Sequence, residues 1–349
     1  MTTTSSPGRD RLHGQRGFTN GRVLALDEGP DFTTSVIETG TGFRSLLIDG
    51  FTATSENPIG AHYMVWMGSL PALLHPDPER TLVICFGTGQ TANGLRKEGV
   101  GHVDVVDVSD AVLGMAPLFP SNERVLEDPR VQSITMDGRA WLRRSDHRYD
   151  VVTLEPMPPN FAGVNSLYSR EFYEIVATRL ADDGVVAQWL PIHLVTKADS
   201  EAIAATFHAV FPDSILWIDP IGGTGILLGR KQAGAEPLGA TWPGLARRAT
   251  GRTLRADEIE RAVVLGPAEM ARYAALGTVI TDDNQQLSHG RMRPGLKGRL
   301  GQQQALANMK TIAKIAGRRP YLVDEAERLE RVRGTIPGAA GAAPRGGGS

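Results

Sequence analysis

The chain has 349 residues, 41% of them hydrophobic and 22% charged, enough for one large α/β domain with additions or for two domains, and too apolar for wholesale disorder. Its formal net charge of -2 supplies no field that would select nucleic acid or an anionic membrane, and no basic stripe with interleaved aromatics is present. Cys85 is the single cysteine, which excludes an internal disulfide, and the eight histidines show no H-E-x-x-H or close Cys/His pairing, so no metal is expected.

In chain order, residues 1–20 are polar and aperiodic, and disorder is expected there. No apolar signal core opens the chain and no apolar run reaches bilayer length, so the expected location is cytoplasmic, with no membrane partner. Three β-type segments follow, Arg22 to Asp27, Thr33 to Glu38 and Phe43 to Asp49, separated by turn signals; residues 21–57 therefore read as a small antiparallel sheet. His62 to Leu74 reads as a helix ended by Pro76 and Pro78. Then α/β alternation begins: strands at Leu82 to Phe86, Val103 to Val106, Val131 to Met136, Tyr149 to Leu154 and Gly184 to Leu190. The helices between and after them are Thr91 to Lys97, Ala111 to Phe119, Arg139 to Arg144, Leu167 to Leu180 and Lys197 to Phe211, and the pair Ser214 to Ile218 and Gly225 to Leu228 closes the pattern. Such alternation predicts a mainly parallel sheet covered on both faces. Residues 231–250 are Gly/Ala/Pro-rich; Pro267 to Leu276, Gln302 to Ala316 and Tyr321 to Arg333 read as helices, and 335–349 as a low-complexity tail.

The most informative stretch is RTLVICFGTGQTANGLRKEGVGHVDVVDVSD, residues 80–110. It reads as strand, glycine turn, helix, strand, ending on Asp107. Gly87 and Gly89 flank Thr88 where the chain must turn sharply, and glycine tolerates positive φ and lets a ligand approach the backbone. An acid at the tip of the second strand can accept both ribose hydroxyls of a nucleoside lying across the turn. The third glycine of a dinucleotide fingerprint is missing, with Ala92 and Asn93 in that region, and no Lys-Ser or Lys-Thr follows as in a P-loop. An adenosine carried on a sulfonium compound fits better than NAD or ATP.

These residues extend into a family pattern. LLIDG (46–50), LPALLHPDPERTLVICFGTG (70–89), VDVVDVSDAV (103–112), DPRVQSITMDGRAWL (128–142), YDVVTLEPMPPN (149–160), NSLYSREFYE (165–174), GVVAQWLP (184–191) and TDDN (281–284) stand in the order of the spermidine synthase (polyamine aminopropyltransferase) family. The chain resembles the branch often fused behind membrane helices. The resemblance implies a Rossmann-like α/β fold, a class I methyltransferase-type seven-stranded sheet over residues 58–293, preceded by the small β domain; the two helical readings beyond it make 294–334 a helical extension.

It further implies that Gly87, Thr88 and Gly89 form the nucleoside turn, that Asp107 holds the ribose, and that Asp137 with Gly138 meets the adenine amine. Tyr63 and Glu155 fall at the catalytic positions, Glu155 where the family usually has the aspartate that deprotonates the attacking amine. Gln188 and Trp189 are candidates for one wall of the acceptor pocket. The departures are also informative. The acid of the family's glycine turn is Thr88, the Glu two residues after the tyrosine is Val65, the Gln after LLIDG falls on Ala53 or Thr54, and the second acid of the loop after the fourth strand is Pro158. A diamine is doubly cationic and calls for more than one carboxylate, so these changes weaken the case for putrescine. The expected activity is transfer of an aminopropyl group from decarboxylated S-adenosylmethionine to a small amine, releasing methylthioadenosine. Methyl transfer from intact S-adenosylmethionine and non-catalytic nucleoside binding are the alternatives, and a homo-oligomer, a dimer, is the expected assembly. Asp282 and Asp283 read as a solvated turn.

Overall fold

The computed structural model describes residues 21–30, 32–159, 161, 163–231, 238, 253–284, 286–289 and 299–333. The expected tails and nearly all of the stretch 231–250 lie outside them. Strands β1 (Arg22–Glu28), β2 (Thr33–Glu38), β3 (Arg44–Ile48) and β4 (Phe51–Ser55) form an antiparallel sheet in that order. Only three of these segments were expected. Ile48 pairs directly with Phe51, and Asp49 and Gly50 between them both have positive φ, the requirement of a two-residue hairpin turn for which Asp-Gly is a favoured pair.

The second sheet has eight strands in the order β12-β10-β11-β9-β8-β5-β6-β7. Strands β5 (Arg80–Ile84), β6 (His102–Asp107), β7 (Val131–Thr135), β8 (Tyr149–Leu154) and β9 (Leu180–Leu190) run parallel. Strands β10 (Asp213–Ile218), β11 (Gly225–Arg230) and β12 (Val263–Leu265) pair antiparallel. β12 is the addition to the expected seven; three residues are too few to leave a periodic signal. Successive residues of β5 feed separate apolar clusters, Leu82 and Ile84 one and Val83 another, as expected for a strand buried on both faces. β5 neighbours both β6 and β8, so the chain order reverses there, and the crevice outside the carboxyl ends of these strands is where an open α/β sheet receives ligands.

Local chemistry explains where the helices depart from expectation. The helix expected from Ala111 to Phe119 is α3 only over Asp110–Gly114, followed by a 3-10 turn with Pro117 in its first residues; Pro117 cannot donate the backbone bond that would continue an α-helix. The helix expected from Leu167 starts instead at Arg170 (α5, Arg170–Arg179), because Ser169 caps it by accepting from Phe172 N–H at 3.2 Å. The strand expected to run to Phe86 ends at Ile84; Cys85 has φ 71°, left-handed backbone that breaks the ladder. α6 spans Lys197–Val210, and a further helix not expected, α7 (Ala256–Arg261), precedes β12. Beyond them lie α8 (Pro267–Ala274), α9 (Arg299–Ala316) and α10 (Glu325–Arg333); the last begins four residues later than expected, after Pro320 and an irregular segment. No helix among the described residues is long and apolar enough to cross a membrane.

Helix α1 (His62–Leu74) is buried along nearly its whole length, which its all-round apolar surface requires. Pro71 sits inside it and has no N–H for the carbonyl of Met67. That orphaned oxygen accepts instead from Thr153 Oγ1 on β8, at 3.0 Å. At its start, His62 Nδ1 is 2.7 Å from Asp219 Oδ1, whose oxygens also accept from the N–H groups of Ile221 and Gly222. Both anchors hold α1 against one face of the sheet, with its N-terminal end beside the carboxyl ends of β8 and β10.

Candidate active site

A cavity of about 590 Å³ opens at that edge, between the carboxyl ends of the parallel strands and the small sheet. Gly87, Thr88, Asp107, Asp137, Glu155 and Trp189 line it; Gly89, Gly138, Tyr63 and Gln188 do not. The glycine turn connects β5 to α2 (Gln90–Lys97). Gly87 and Gly89 have φ of 57° and 85°, and a Cβ on Gly89 would sit 2.5 Å from the Phe86 ring and 2.9 Å from Asn122 Cβ. A Cβ on Gly138 would meet Ile84 Cγ2 at 2.5 Å, so that glycine lets α4 (Gly138–Arg144) lie close against β5.

Asp107 ends β6 and is buried. Its Oδ2 accepts from Phe86 N–H at 2.8 Å and its Oδ1 from Ser109 N–H at 2.9 Å. Burial pushes its carboxyl up, and the two amide donors pull against that. Each carboxylate oxygen has a further lone pair, so the pair of backbone bonds fixes the carboxylate without exhausting it. Asp137 is exposed at the rim and caps α4, accepting from Ala140 N–H at 2.7 Å.

Glu155 follows β8. Its Oε1 accepts from the Tyr63 hydroxyl of α1, and its Oε2 from Thr91 Oγ1 on the first turn of α2 at 3.3 Å. Burial pushes this carboxyl up to about 7, against the pull of the two hydroxyls. Tyr63 is held well above the ordinary tyrosine range, first by burial and then by the neighbouring Glu155, so it stays a donor. Its ring stacks on Trp189, with centroids 6.1 Å apart and planes 8° from parallel. Gln188 and Trp189 do not share a wall: neighbours on a strand face opposite ways. The Gln188 amide is fully buried, accepting from Tyr173 and donating to the Trp189 carbonyl.

Several lining groups escaped the sequence reading. Thr91 lies within the motif, but only the fold shows that its hydroxyl reaches Glu155. Met64 follows Tyr63 on α1, and its thioether receives Thr54 Oγ1 at 3.2 Å, Gln90 Nε2 at 3.7 Å and Thr88 Oγ1 at 3.8 Å. Thr54 and Thr88, two of the positions at which the chain departs from the family pattern, therefore meet around a sulfur. Val65 is exposed, away from the cavity. Arg139 binds Asp282 Oδ1 at 2.8 Å, which ties the polar loop 281–284 to α4 rather than leaving it a free solvated turn. Among the described residues no group of three or more His, Cys, Asp or Glu is placed to hold a metal ion.

The order along the crevice is thus Trp189 near the end of β9, Glu155 after β8, the glycine turn after β5 and Asp107 at the end of β6. A titratable carboxylate stands on one side of the turn and an amide-held carboxylate on the other. The region that carries these residues is similar to known proteins. The Spermine/spermidine synthase domain model matches residues 61–218. The Polyamine aminopropyltransferase of Bacillus subtilis (strain 168) is 31% identical over 202 residues, covering 54% of this chain and 72% of that protein. The Putrescine N-methyltransferase 2 of Nicotiana attenuata is 29% identical over 188 residues, covering 52% and 49%. A crystal structure of spermidine synthase in complex with the transition state analogue AdoDATO shares the fold, with TM-score 0.60 and 20% identity over 73% of this chain and 88% of that one. With matching motifs in order and a relative matched over most of its length, the chain belongs to the spermine/spermidine synthase family.

Proposed function

We propose that the chain transfers an aminopropyl group from decarboxylated S-adenosylmethionine to an amine and releases methylthioadenosine. The observation that carries this is the partly buried Glu155 carboxylate, held by Tyr63 and Thr91 beside the glycine turn. In this reading the nucleoside lies over Gly87, with its ribose hydroxyls on Asp107 and its adenine toward Asp137 and Gly138. The sulfonium end then faces Glu155. The amine nitrogen attacks the aminopropyl carbon bonded to sulfur, the carbon–sulfur bond breaks, and the electron pair leaves with the neutral thioether. Glu155 takes the proton that the incoming nitrogen loses, and Tyr63 and Thr91 hold its carboxylate in place. Residues 58–293 act as the catalytic unit, the small sheet roofs the cavity, and the helices of 294–334 are an extension. A homo-oligomeric state, a dimer, and a cytoplasmic location go with this reading by resemblance.

One observation favours a second reading. The polar groups around the Met64 sulfur, Thr54, Thr88 and Gln90, are uncharged, so nothing there repels the carboxylate of intact S-adenosylmethionine, and methyl transfer is the competing reaction. Calorimetric titration with S-adenosylmethionine, its decarboxylated form and methylthioadenosine separates the readings. Tighter binding of the decarboxylated donor is expected; preference for the intact donor overturns aminopropyl transfer in favour of methyl transfer, and no binding of any of the three sinks both. Turnover that survives Glu155→Gln unchanged overturns the assignment of the base.

A further inference from the structure

The cavity carries an asymmetry of charge that speaks to the acceptor. Among the described residues its lining includes four carboxylates, Asp49, Asp107, Asp137 and Glu155, and no Lys, Arg or His. Asp49 and Asp137 are exposed, where water screens a charge, and each already accepts a backbone N–H, Thr33 N and Ala140 N. Asp107 lies on the far side of the glycine turn with both oxygens on amides. Glu155 alone stands beside the turn with only hydroxyl partners.

Around Glu155 the surface is apolar. The segment that follows it contributes Pro156, Met157, Phe161, Val164 and Leu167 to the lining, and Trp189 closes the side toward β9. Phe161 packs on Phe51 of the small sheet, centroids 4.8 Å apart, so this wall continues into the roof. A second ammonium placed there would leave water for a surface with no described acid to pair with it, and an unpaired buried cation is costly. An alkyl or aryl body in the same place gains by burial.

Resting on the aminopropyl-transfer reading, we propose that the acceptor is a hydrophobic monoamine: one nitrogen delivered to Glu155 and an apolar body against the wall formed by Met157, Phe161, Val164, Leu167 and Trp189. Diamines of similar length are poor acceptors.

The test uses the full chain with decarboxylated S-adenosylmethionine, reading methylthioadenosine release with hexylamine, phenethylamine and 1,4-diaminobutane. At least tenfold higher kcat/KM for the two monoamines is the expected result. Met157→Glu places a carboxylate on a flexible side chain of similar length in the wall; it should raise kcat/KM for 1,4-diaminobutane and lower it for hexylamine, moving their ratio at least tenfold. If the wild-type chain prefers 1,4-diaminobutane, the acceptor proposal is overturned while aminopropyl transfer stands. If Met157→Glu leaves the ratio unmoved, the wall is not the acceptor surface and the proposal fails on that ground. Methylthioadenosine formation with none of these amines, in a chain that binds the decarboxylated donor, overturns the acceptor proposal, whereas preference for intact S-adenosylmethionine in the donor titration is what removes aminopropyl transfer.

Discussion

At the scale of single residues the reaction rests on Glu155, whose carboxyl burial raises from 4.5 to about 7. A base must be ionised, so turnover should climb with pH through about 7, and Glu155→Gln should flatten that limb while lowering kcat by about 10²–10⁴-fold. Donor affinity should stay within a few fold of the parent. The same shift acts on stability with a definite sign. The unfolded chain ionises this residue near 4.5 and the folded chain only near 7, so between those values stability falls as pH rises. Glu155→Gln removes that penalty, and urea unfolding should show the variant more stable by on the order of 2 kcal/mol at pH 8, with no gain at pH 4. Tyr63→Phe tests the hydroxyl that favours the ionised form. Its loss should move the rising limb of the pH profile upward, so that the deficit is several-fold at pH 7 and shrinks by pH 9; a deficit equal at both values would show that Tyr63 only packs.

At the scale of elements the catalytic geometry depends on how closely α1 and α2 approach. A Cβ on Gly68 would lie 2.3 Å from the Thr91 carbonyl oxygen and 2.8 Å from Leu95 N, and one on Gly94 would lie 2.5 Å from the Val65 oxygen. The two helices touch backbone to backbone, which brings Tyr63 and Thr91 to the same carboxylate. Gly68→Ala must push them apart, at a cost of about 1–3 kcal/mol, and should lower kcat by loosening Thr91 from Glu155. Gly114→Ala, where an added Cβ meets nothing within 4 Å, is the control and should leave the thermal midpoint within a degree or two. Much of this scaffold was legible in the sequence. β5 is a continuous apolar run from Leu82 to Ile84, and β6 and β8 are apolar between their ends apart from Asp104, Asp150 and Thr153, because these strands are buried on both faces, and the glycine turn and its acids follow from the chain order. Other elements were less visible for physical reasons: β12 is too short for a period, Pro117 splits a pattern that otherwise reads as one helix, and strand alternation separates Gln188 from Trp189. Cys85 at φ 71° runs against residue preference, so no propensity argument finds it. Thr91 and the apolar wall after Glu155 needed the fold to bring distant segments together.

At the scale of the whole molecule the C-terminal helices brace the loop after β9 and the β12 edge of the sheet, and none of their described residues lines the cavity. Asn308 of α9 donates to the carbonyls of Ile192 and Val195, just past β9. Arg318 donates to the carbonyls of Arg261 and Val263 beside β12, covering a strand edge that would otherwise invite pairing. The firmest tie is between α7 and α10. Glu258 is fully buried and accepts from Arg331 at 2.6 Å, Tyr321 at 2.8 Å and its own helix cap, Arg255 N, at 2.9 Å. Burial alone would raise this carboxyl, but those donors outweigh it and hold it at about 2, below the ordinary 4.5. A depressed acid adds stability above its unfolded value and loses it as pH falls toward the folded one, so this contribution is full above about 4.5 and gone near 2. Arg331→Leu strands the carboxylate with only Arg255 as a charged partner, at 2.8 Å, and should cost about 3 kcal/mol at pH 7. Acid titration followed by circular dichroism should then show the variant losing its helix signal at a higher pH than the parent. The double substitution Glu258→Leu with Arg331→Leu, which removes both charges, should recover part of the loss at neutral pH; if it is no better than Arg331→Leu alone, the tie holds through packing and not through charge.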